Sequence, residues 1–328
     1  MSNWYLQTGK SSDVVLNSKV SLSRNLSQFN FYIKEEEVIK LEKIFEENIS
    51  QIGYGIKLLK LRELPIVEIQ SLLEKGLINE KMVQNKNRCF LLINDEENIS
   101  ILINSDDHIK LQVFASGLEI ESIFNLGIEI DEKLQEIFQI SKNEKYGYLT
   151  QDLKNIGTGM KLSVILHLPA LTKTKNIRNL KMLVRHLGIE IVKVQSPDIY
   201  KISNERTLGI TEENILSNLK TVSEKIIEQE RAARKILVKN QIELEDSILR
   251  SFGILSNCKK IHQKEAEELL SNVKFGTDLG IIKELTDAKI KKLYLYTKKA
   301  NLNKFFGQEL NEDEDIRRAE MIKQITKE

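Results

Sequence analysis

Cys89-Phe90-Leu91-Leu92-Ile93-Asn94-Asp95-Glu96-Glu97-Asn98-Ile99-Ser100-Ile101-Leu102-Ile103 is the stretch whose reading decides the fold class. Two apolar runs enriched in β-branched and aromatic side chains flank a short polar segment, the pattern of an antiparallel hairpin. A third strand over residues 109–114 follows directly, and shorter strands are expected at 14–16 and 56–59. Between and after these, apolar residues recur on one helical face over 35–51, 67–75, 118–140 and 176–187. Antiparallel strands with interspersed helices predict an α+β fold, an antiparallel sheet flanked by helices, rather than a doubly wound one.

Beyond Thr211 the pattern turns almost wholly helical. Thr211-Glu212-Glu213 has the form of an N-cap with an acidic first turn, opening a long amphipathic helix to about residue 250. Further helices are expected near 263–271, 278–285, 287–296 and 312–326. The chain therefore divides into a catalytic-type domain over residues 1–238 and a small all-α domain over 239–328, suited to dimerisation or partner docking.

Composition narrows the function. A chain of 328 residues, 41% hydrophobic, can bury a substantial core. Its charges nearly cancel at a formal +1, with no dense basic block, which argues against nucleic-acid binding. The opening Met1-Ser2-Asn3-Trp4-Tyr5 has no basic region leading into an apolar stretch, and no apolar run approaches the roughly 20 residues of a membrane span. A cytoplasmic protein without membrane association is expected. Cys89 and Cys258 are far apart and lack metal-ligand spacing, so neither a disulfide framework nor a metal site is expected. Cys89 reads as a small core residue, and His108 and His167, in apolar surroundings, as structural.

Three stretches carry a family likeness. Asn104-Ser105-Asp106-Asp107-His108-Ile109-Lys110 resembles the N-E-E-D-H-L-R motif of the guanidino kinases. Tyr146 through Thr150, continuing in Asn155-Ile156-Gly157-Thr158-Gly159-Met160-Lys161, resembles their G-Y-L-T-S-C-P-T-N-x-G-T-G-L-R segment. Leu16 through Leu26 is similar to their S-S-R-I-R-L-A-R-N-L opening. The bacterial protein-arginine-kinase branch is picked out by His167-Leu168-Pro169-Ala170-Leu171, by Gln229-Glu230-Arg231-Ala232-Ala233-Arg234 and by Asp315-Ile316-Arg317-Arg318-Ala319. The resemblance implies a guanidino-kinase catalytic domain followed by a helical domain. It implies Mg-ATP as phosphoryl donor, arginine side chains of proteins as acceptors, and a Clp ATPase/protease that takes up the marked proteins.

The same resemblance places the site. Guanidino kinases hold phosphates with arginines, and the matching positions here are Lys19, Ser21, Lys110 and Lys161, with Asn155 on the nucleotide side. A further arginine-bearing loop is replaced by the short run Val194-Gln195-Ser196-Pro197-Asp198. Lysine keeps the charge but not the planar fork of arginine. The glutamate that orients and deprotonates the guanidinium maps to Asp106, beside Asp107, and the reactive cysteine to Asp152. The adenine-side histidine maps to Gly76, removing a stacking surface. Asp315 and Arg318 match a second, phosphoarginine-binding site, with Glu314 in place of its first arginine; an exposed charged helix face is the alternative. Two functions remain open: an ATP-dependent protein-arginine kinase with weak or lost catalysis, and a non-catalytic pseudokinase that binds arginine-bearing proteins. The second would alternatively regulate an active kinase/Clp protease system, with an active protein-arginine kinase or activator as partner; under either reading a homo- or heterodimer is expected.

Overall fold

The computed structural model describes residues 3–194, 198–307 and 313–327, the side chains of Asn240 and Gln241 excepted. Ten strands and twelve helices are found among them. They begin with β1 (Val15–Arg24), α1 (Glu35–Ile52), β2 (Lys57–Lys60), α2 (Ile66–Glu74), α3 (Glu80–Gln84), β3 (Phe90–Ile93), β4 (Ile99–Ile103), β5 (Ile109–Ser116) and α4 (Ile120–Ile137). The short β6 (Lys142–Asn143) and β7 (Gly147–Tyr148) precede β8 (Met160–His167), α5 (Pro169–Lys173), α6 (Ile177–Arg185), β9 (Ile189–Lys193) and β10 (Ile199–Asn204). Helices complete the chain: α7 (Glu212–Leu237), α8 (Gln241–Asn257), α9 (Gln263–Asp278), α10 (Asp287–Tyr296), α11 (Lys299–Phe306) and α12 (Glu314–Lys327).

Eight strands form one antiparallel sheet in the order β2-β3-β4-β5-β1-β8-β10-β9, while β6 and β7 pair separately. The hairpin read from the sequence is β3–β4. Its turn is fixed by the Asn94 side chain, which accepts from the Ile99 amide at 3.0 Å, and by Glu97 at φ 58°. A second tight connection between β4 and β5 turns on Asn104, also at positive φ, a conformation asparagine tolerates.

Strand alternation gives the sheet two unlike faces. Val20, Leu22, Leu111, Val113, Leu162, Val164 and Ile202 are fully buried in the main core, to which α1, α4 and α7 contribute. On the opposite face, Leu91, Leu102 and Phe114 form a smaller core with Trp4, Ile69, Leu72 and Met82. Next to that core the second face becomes polar. Lys19, Ser21 and Ser23 of β1 stand beside Lys110 and Gln112 of β5 and Lys161 and Ser163 of β8 in register.

Two of the three stretches that singled out the arginine-kinase branch, residues 167–171 and 229–234, interlock. Glu230 on α7 is inaccessible and accepts from the amides of Ala170 and Leu171 at the start of α5, at 3.0 and 2.9 Å. Arg234, one turn on, donates to Glu230 at 2.9 Å and lies 3.7 Å from Asp278 of α9. His167 Nε2 meets Ser271 Oγ of α9 at 2.9 Å, and burial beside Lys274 and Arg234 holds that imidazole well below its ordinary pKa. The helical region is thus joined to the sheet by a buried polar network.

Several boundaries differ from the sequence reading. The strand expected over 14–16 runs ten residues, because its polar cleft-facing positions mask the alternation. The helix expected to reach residue 250 breaks into a 3₁₀ turn at Val238–Asn240 before α8. Residues 278–285 are not a helix: α9 ends at Asp278, Gly280 takes φ 73°, and the chain bends until Thr286 caps α10. α11 was not expected from the sequence. The last helix begins at Glu314; Glu312, part of the 312–326 expectation, lies outside the described residues.

Arg24 closes the end of β1. Its guanidinium pairs with Asp131 of α4 at 2.8 Å, donates to the Ser23 and Thr158 carbonyls, and lies 3.5 Å from the Tyr148 ring centre. Both members of the pair are nearly inaccessible, at 2% and 4% of side-chain surface. Breaking a buried pair leaves an uncompensated charge, so Arg24→Met should lower the unfolding free energy by about 3–5 kcal/mol. Urea denaturation followed by circular dichroism checks this; an unchanged midpoint would contradict it.

Candidate active site

Two cavities open on the polar face of the sheet. One, of about 730 Å³, is lined by Lys19, Lys110, Lys161 and Lys201 and by the apolar and aromatic side chains of Leu16, Ile165, Ile199, Trp4, Tyr5 and Tyr294. The other, of about 810 Å³, is lined by Asp106, Asp152, Asn155, Glu190 and Glu205 with Lys81, Lys110, Lys154 and Lys161. They share Ser21, Lys110 and Lys161, so the lysine-rich and carboxylate-rich halves meet over β1, β5 and β8.

Seven lysines among the described residues line the first cavity. Five are engaged. Lys75 pairs with Glu97 at 2.8 Å, Lys161 with Glu190 at 2.9 Å, Lys291 with Asp287 at 2.9 Å and Lys110 with Asp106 at 3.4 Å, while Lys298 donates to the Glu74 carbonyl at 2.9 Å. Lys19 and Lys201 have no carboxylate partner among the described residues. Lys19 donates to the Gln112 side-chain oxygen and stands 4.9 Å from the Phe114 ring centre. Desolvation first, then the charges of Lys110 and Lys201, push its pKa down to about 7.

On the carboxylate side, Asp106 belongs to the tight β4–β5 connection. Asn79 caps α3 by accepting from the Met82 amide at 3.0 Å, and its amide group donates to Asp106 at 3.1 Å and to Ser105 at 2.7 Å. Lys81 approaches Asp106 at 3.8 Å. Asp152 caps a 3₁₀ turn over Leu153–Asn155, accepting from the Lys154 amide at 3.0 Å. The two halves of the loop are fixed by backbone geometry: Gly157 at φ 111° and Gly159 at φ 62° leave no room for a Cβ, which would stand 2.2 Å from the Thr207 carbonyl oxygen and 2.6 Å from that of Ser23.

The expected site residues distribute unevenly. Lys19, Ser21, Lys110 and Lys161 line the lysine cavity, and Asp106 and Asp152 the carboxylate cavity. Asn155, expected on the nucleotide side, lines the carboxylate half instead. Asp107 is 1% exposed and reaches neither cavity; it accepts from Asn25 at 2.8 Å and from the Gln151 amide at 2.7 Å, tying β1 and the glycine loop to the β4–β5 connection. His108 does similar work, with Nδ1 accepting from the Leu26 amide at 3.0 Å. Gly76 lines the first cavity at φ 75°, where the aromatic surface comes from Trp4, Tyr5 and Tyr294.

Arg318 is 2% exposed, donating to the carbonyls of Thr297 and Ile261 at 2.8 and 2.9 Å and to Asp315 at 2.5 Å, while Asp315 also meets His262. In this conformation the pair ties α12 to α10 and to the start of α9, rather than forming an exposed face. Gln195-Ser196-Pro197, within the shortened connection, lies outside the described residues.

Sequence reasoning missed Lys81, Asn79 and Lys201. The signal for Lys201 was present in Tyr200-Lys201-Ile202-Ser203, whose alternation puts Lys201 and Ser203 on the phase opposite two buried apolar residues.

Comparison with known proteins gives concordant matches. The profile of the "ATP:guanido phosphotransferase, C-terminal catalytic domain" matches residues 37–233, and that of the "Protein-arginine kinase McsB C-terminal domain" matches residues 241–328. The protein-arginine kinase of Halothermothrix orenii is 38% identical over 336 residues, covering 98% of this chain and 96% of its own. That of Geobacillus kaustophilus is 36% identical, covering 100% of this chain and 94% of its own. Among solved structures, the substrate-free duplicated taurocyamine kinase of Schistosoma mansoni superposes with a TM-score of 0.61 at 18% identity, over 81% of this chain and 42% of that one. Lombricine kinase superposes with a TM-score of 0.58 at 19% identity, over 67% of each chain. At these identities the structures establish the guanidino-kinase fold.

Only a neutral amine acylates, so the lowered proton affinity of Lys19 is directly measurable. Acetylation followed residue by residue by mass spectrometry should give Lys19 a half-maximal pH near 7. A Lys19 midpoint above about 9, close to an ordinary lysine, would contradict it.

Proposed function

This chain belongs to the ATP:guanido phosphotransferase family, in its protein-arginine-kinase branch, and from that premise we propose that it binds Mg-ATP through lysines and transfers phosphate slowly to arginine side chains of proteins. The observation that carries the reading is the pair of cavities joined at Ser21, Lys110 and Lys161. One half offers ammonium groups and apolar and aromatic walls, which suit a polyphosphate and a base. The other offers Asp106 and Asp152, which suit a guanidinium.

When bound, Mg-ATP supplies the phosphoryl group, and magnesium is ordinarily held largely by phosphate oxygens and water. The chain's own residues position and neutralise. Lys110 and Lys161 stand where charge would develop between the two halves, and such positioned cations carry most of the catalysis in phosphoryl transfer. Asp106 would accept a guanidinium proton. Its side chain is held by Asn79, Lys81 and Lys110, which fix its orientation while competing for its lone pairs.

Slow turnover follows from residue type. An ammonium is a point donor where a guanidinium gives a bidentate fork, and removing a transition-state arginine costs about 10³–10⁵ in rate. The non-catalytic reading rests on one observation: Lys161 and Lys110 are already paired with Glu190 and Asp106, so part of their charge is spent. Under it the carboxylate half binds arginine and the lysine half is silent. The division at residue 238, a Clp ATPase/protease partner and dimerisation through the helical region belong to the proposal on family resemblance alone.

The test is transfer of radiolabel from [γ-³²P]ATP to an arginine-rich protein, read as acid-labile phosphoarginine. Slow labelling is expected, abolished by Asp106→Ala and raised about tenfold or more by Lys110→Arg with Lys161→Arg. Absence of labelling in every variant, with Mg-ATP unbound and free arginine bound in a thermal-shift titration, would overturn the kinase reading in favour of the arginine-binding one.

A further inference from the structure

Lys201 lies outside all the motifs quoted above, and we propose that it is a polyphosphate-binding residue of the lysine-lined cavity. The inference rests on reading that cavity as the nucleotide half of the site. On β10, Lys201 is opposite Ile165 of β8, on the strand phase that faces the cleft. It is part-exposed, lines the cavity with Lys19, Lys110 and Lys161, and its side chain has neither a hydrogen bond nor an ion pair among the described residues.

No carboxylate contacts it directly, and Glu190, whose charge it does feel, already accepts from Lys161 and Ser203. Two glutamates line the same cavity, and both are directed elsewhere: Glu74 accepts from the amides of Ala300 and Asn301 at 2.8 and 2.9 Å, and Glu267 from Gln263 at 2.9 Å. Lys110 and Lys161 have carboxylate partners; Lys19, the nearest uncompensated cation in kind, feels the Lys201 charge as a repulsion. Lys19 and Lys201 lack a carboxylate contact and repel each other when both are charged, and an anion carrying several charges between them would relieve that repulsion. A phosphate chain meets this requirement better than a single carboxylate. It presents non-bridging oxygens along its length, to which a flexible ammonium adapts without needing a bidentate geometry. Lys201 lies on β10, the strand that follows in sequence the shortened connection without an arginine.

The experiment is isothermal titration of the full chain with Mg-ATP and, separately, with inorganic tripolyphosphate, for the wild type, Lys201→Gln, Lys201→Arg and Lys193→Gln. Lys193 is exposed on β9 on the opposite strand phase and controls for net charge. The Kd of Lys201→Gln should rise about tenfold or more for both ligands, since a hydrogen bond to a charged group is lost. Lys201→Arg should retain most of the affinity, Lys193→Gln should match the wild type, and the loss should shrink as salt screens the contact. Equal affinity of Lys201→Gln and wild type at low salt overturns the proposal, as does an equal loss in Lys193→Gln. If the wild type binds neither ligand, the reading of the cavity itself falls, an outcome distinct from selective failure at Lys201.

Discussion

Positive charge without a carboxylate contact, on one face of an antiparallel sheet, is the constraint on which the site depends. Lys19 and Lys201 extend toward the cleft from strands whose other face is buried in the main core, so neither can be withdrawn without turning the strand over. A bound anion would relieve the repulsion between them. The neighbouring lysines are paired, and the neighbouring glutamates serve helix amides or other side chains.

The carboxylate half is built by a different device. Asp106 protrudes from a tight turn between β4 and β5, while its neighbours Asp107 and His108 are buried and spend their hydrogen-bonding capacity on β1 and the glycine loop. One residue of the turn faces solvent and the two that follow anchor it. The loop that carries Asp152 is pinned from the other side, where Gly157 and Gly159 allow the backbones of Thr207 and Ser23 to approach closely. The chemistry-bearing groups thus sit on short connections held by rigid strands, which lets two oppositely charged surfaces adjoin without collapsing onto each other. They do touch at Lys110–Asp106 and Lys161–Glu190.

Much of this was legible in the sequence. The β3–β4 hairpin, the third strand and the Thr211 cap follow from alternation, turn residues and an acidic first turn, all local signals. The motif positions Lys19, Lys110 and Lys161 gather as the resemblance implies, because strand register brings residues far apart in sequence to one face. What was not legible depends on tertiary partners. Asp107 looked like a second site carboxylate, and only the positions of Asn25 and Gln151 reveal it as a buried anchor. Arg318 was read as a phosphoarginine-binding residue, with an exposed helix face as the alternative, and the carbonyls that hold it come from Thr297 and Ile261, distant in sequence. The break after α7 and the loop at 279–286 escaped notice because apolar periodicity continues through both while the backbone does not.

The most direct measurement is a crystal structure of the chain with Mg-ADP, nitrate and free arginine, which together imitate the transferring state. The account predicts the diphosphate at hydrogen-bonding distance from lysines of the first cavity, and the guanidinium against Asp106, with nitrate between them over Ser21. A nucleotide found outside that cavity, or arginine bound at Asp106 with no nucleotide present, would contradict it.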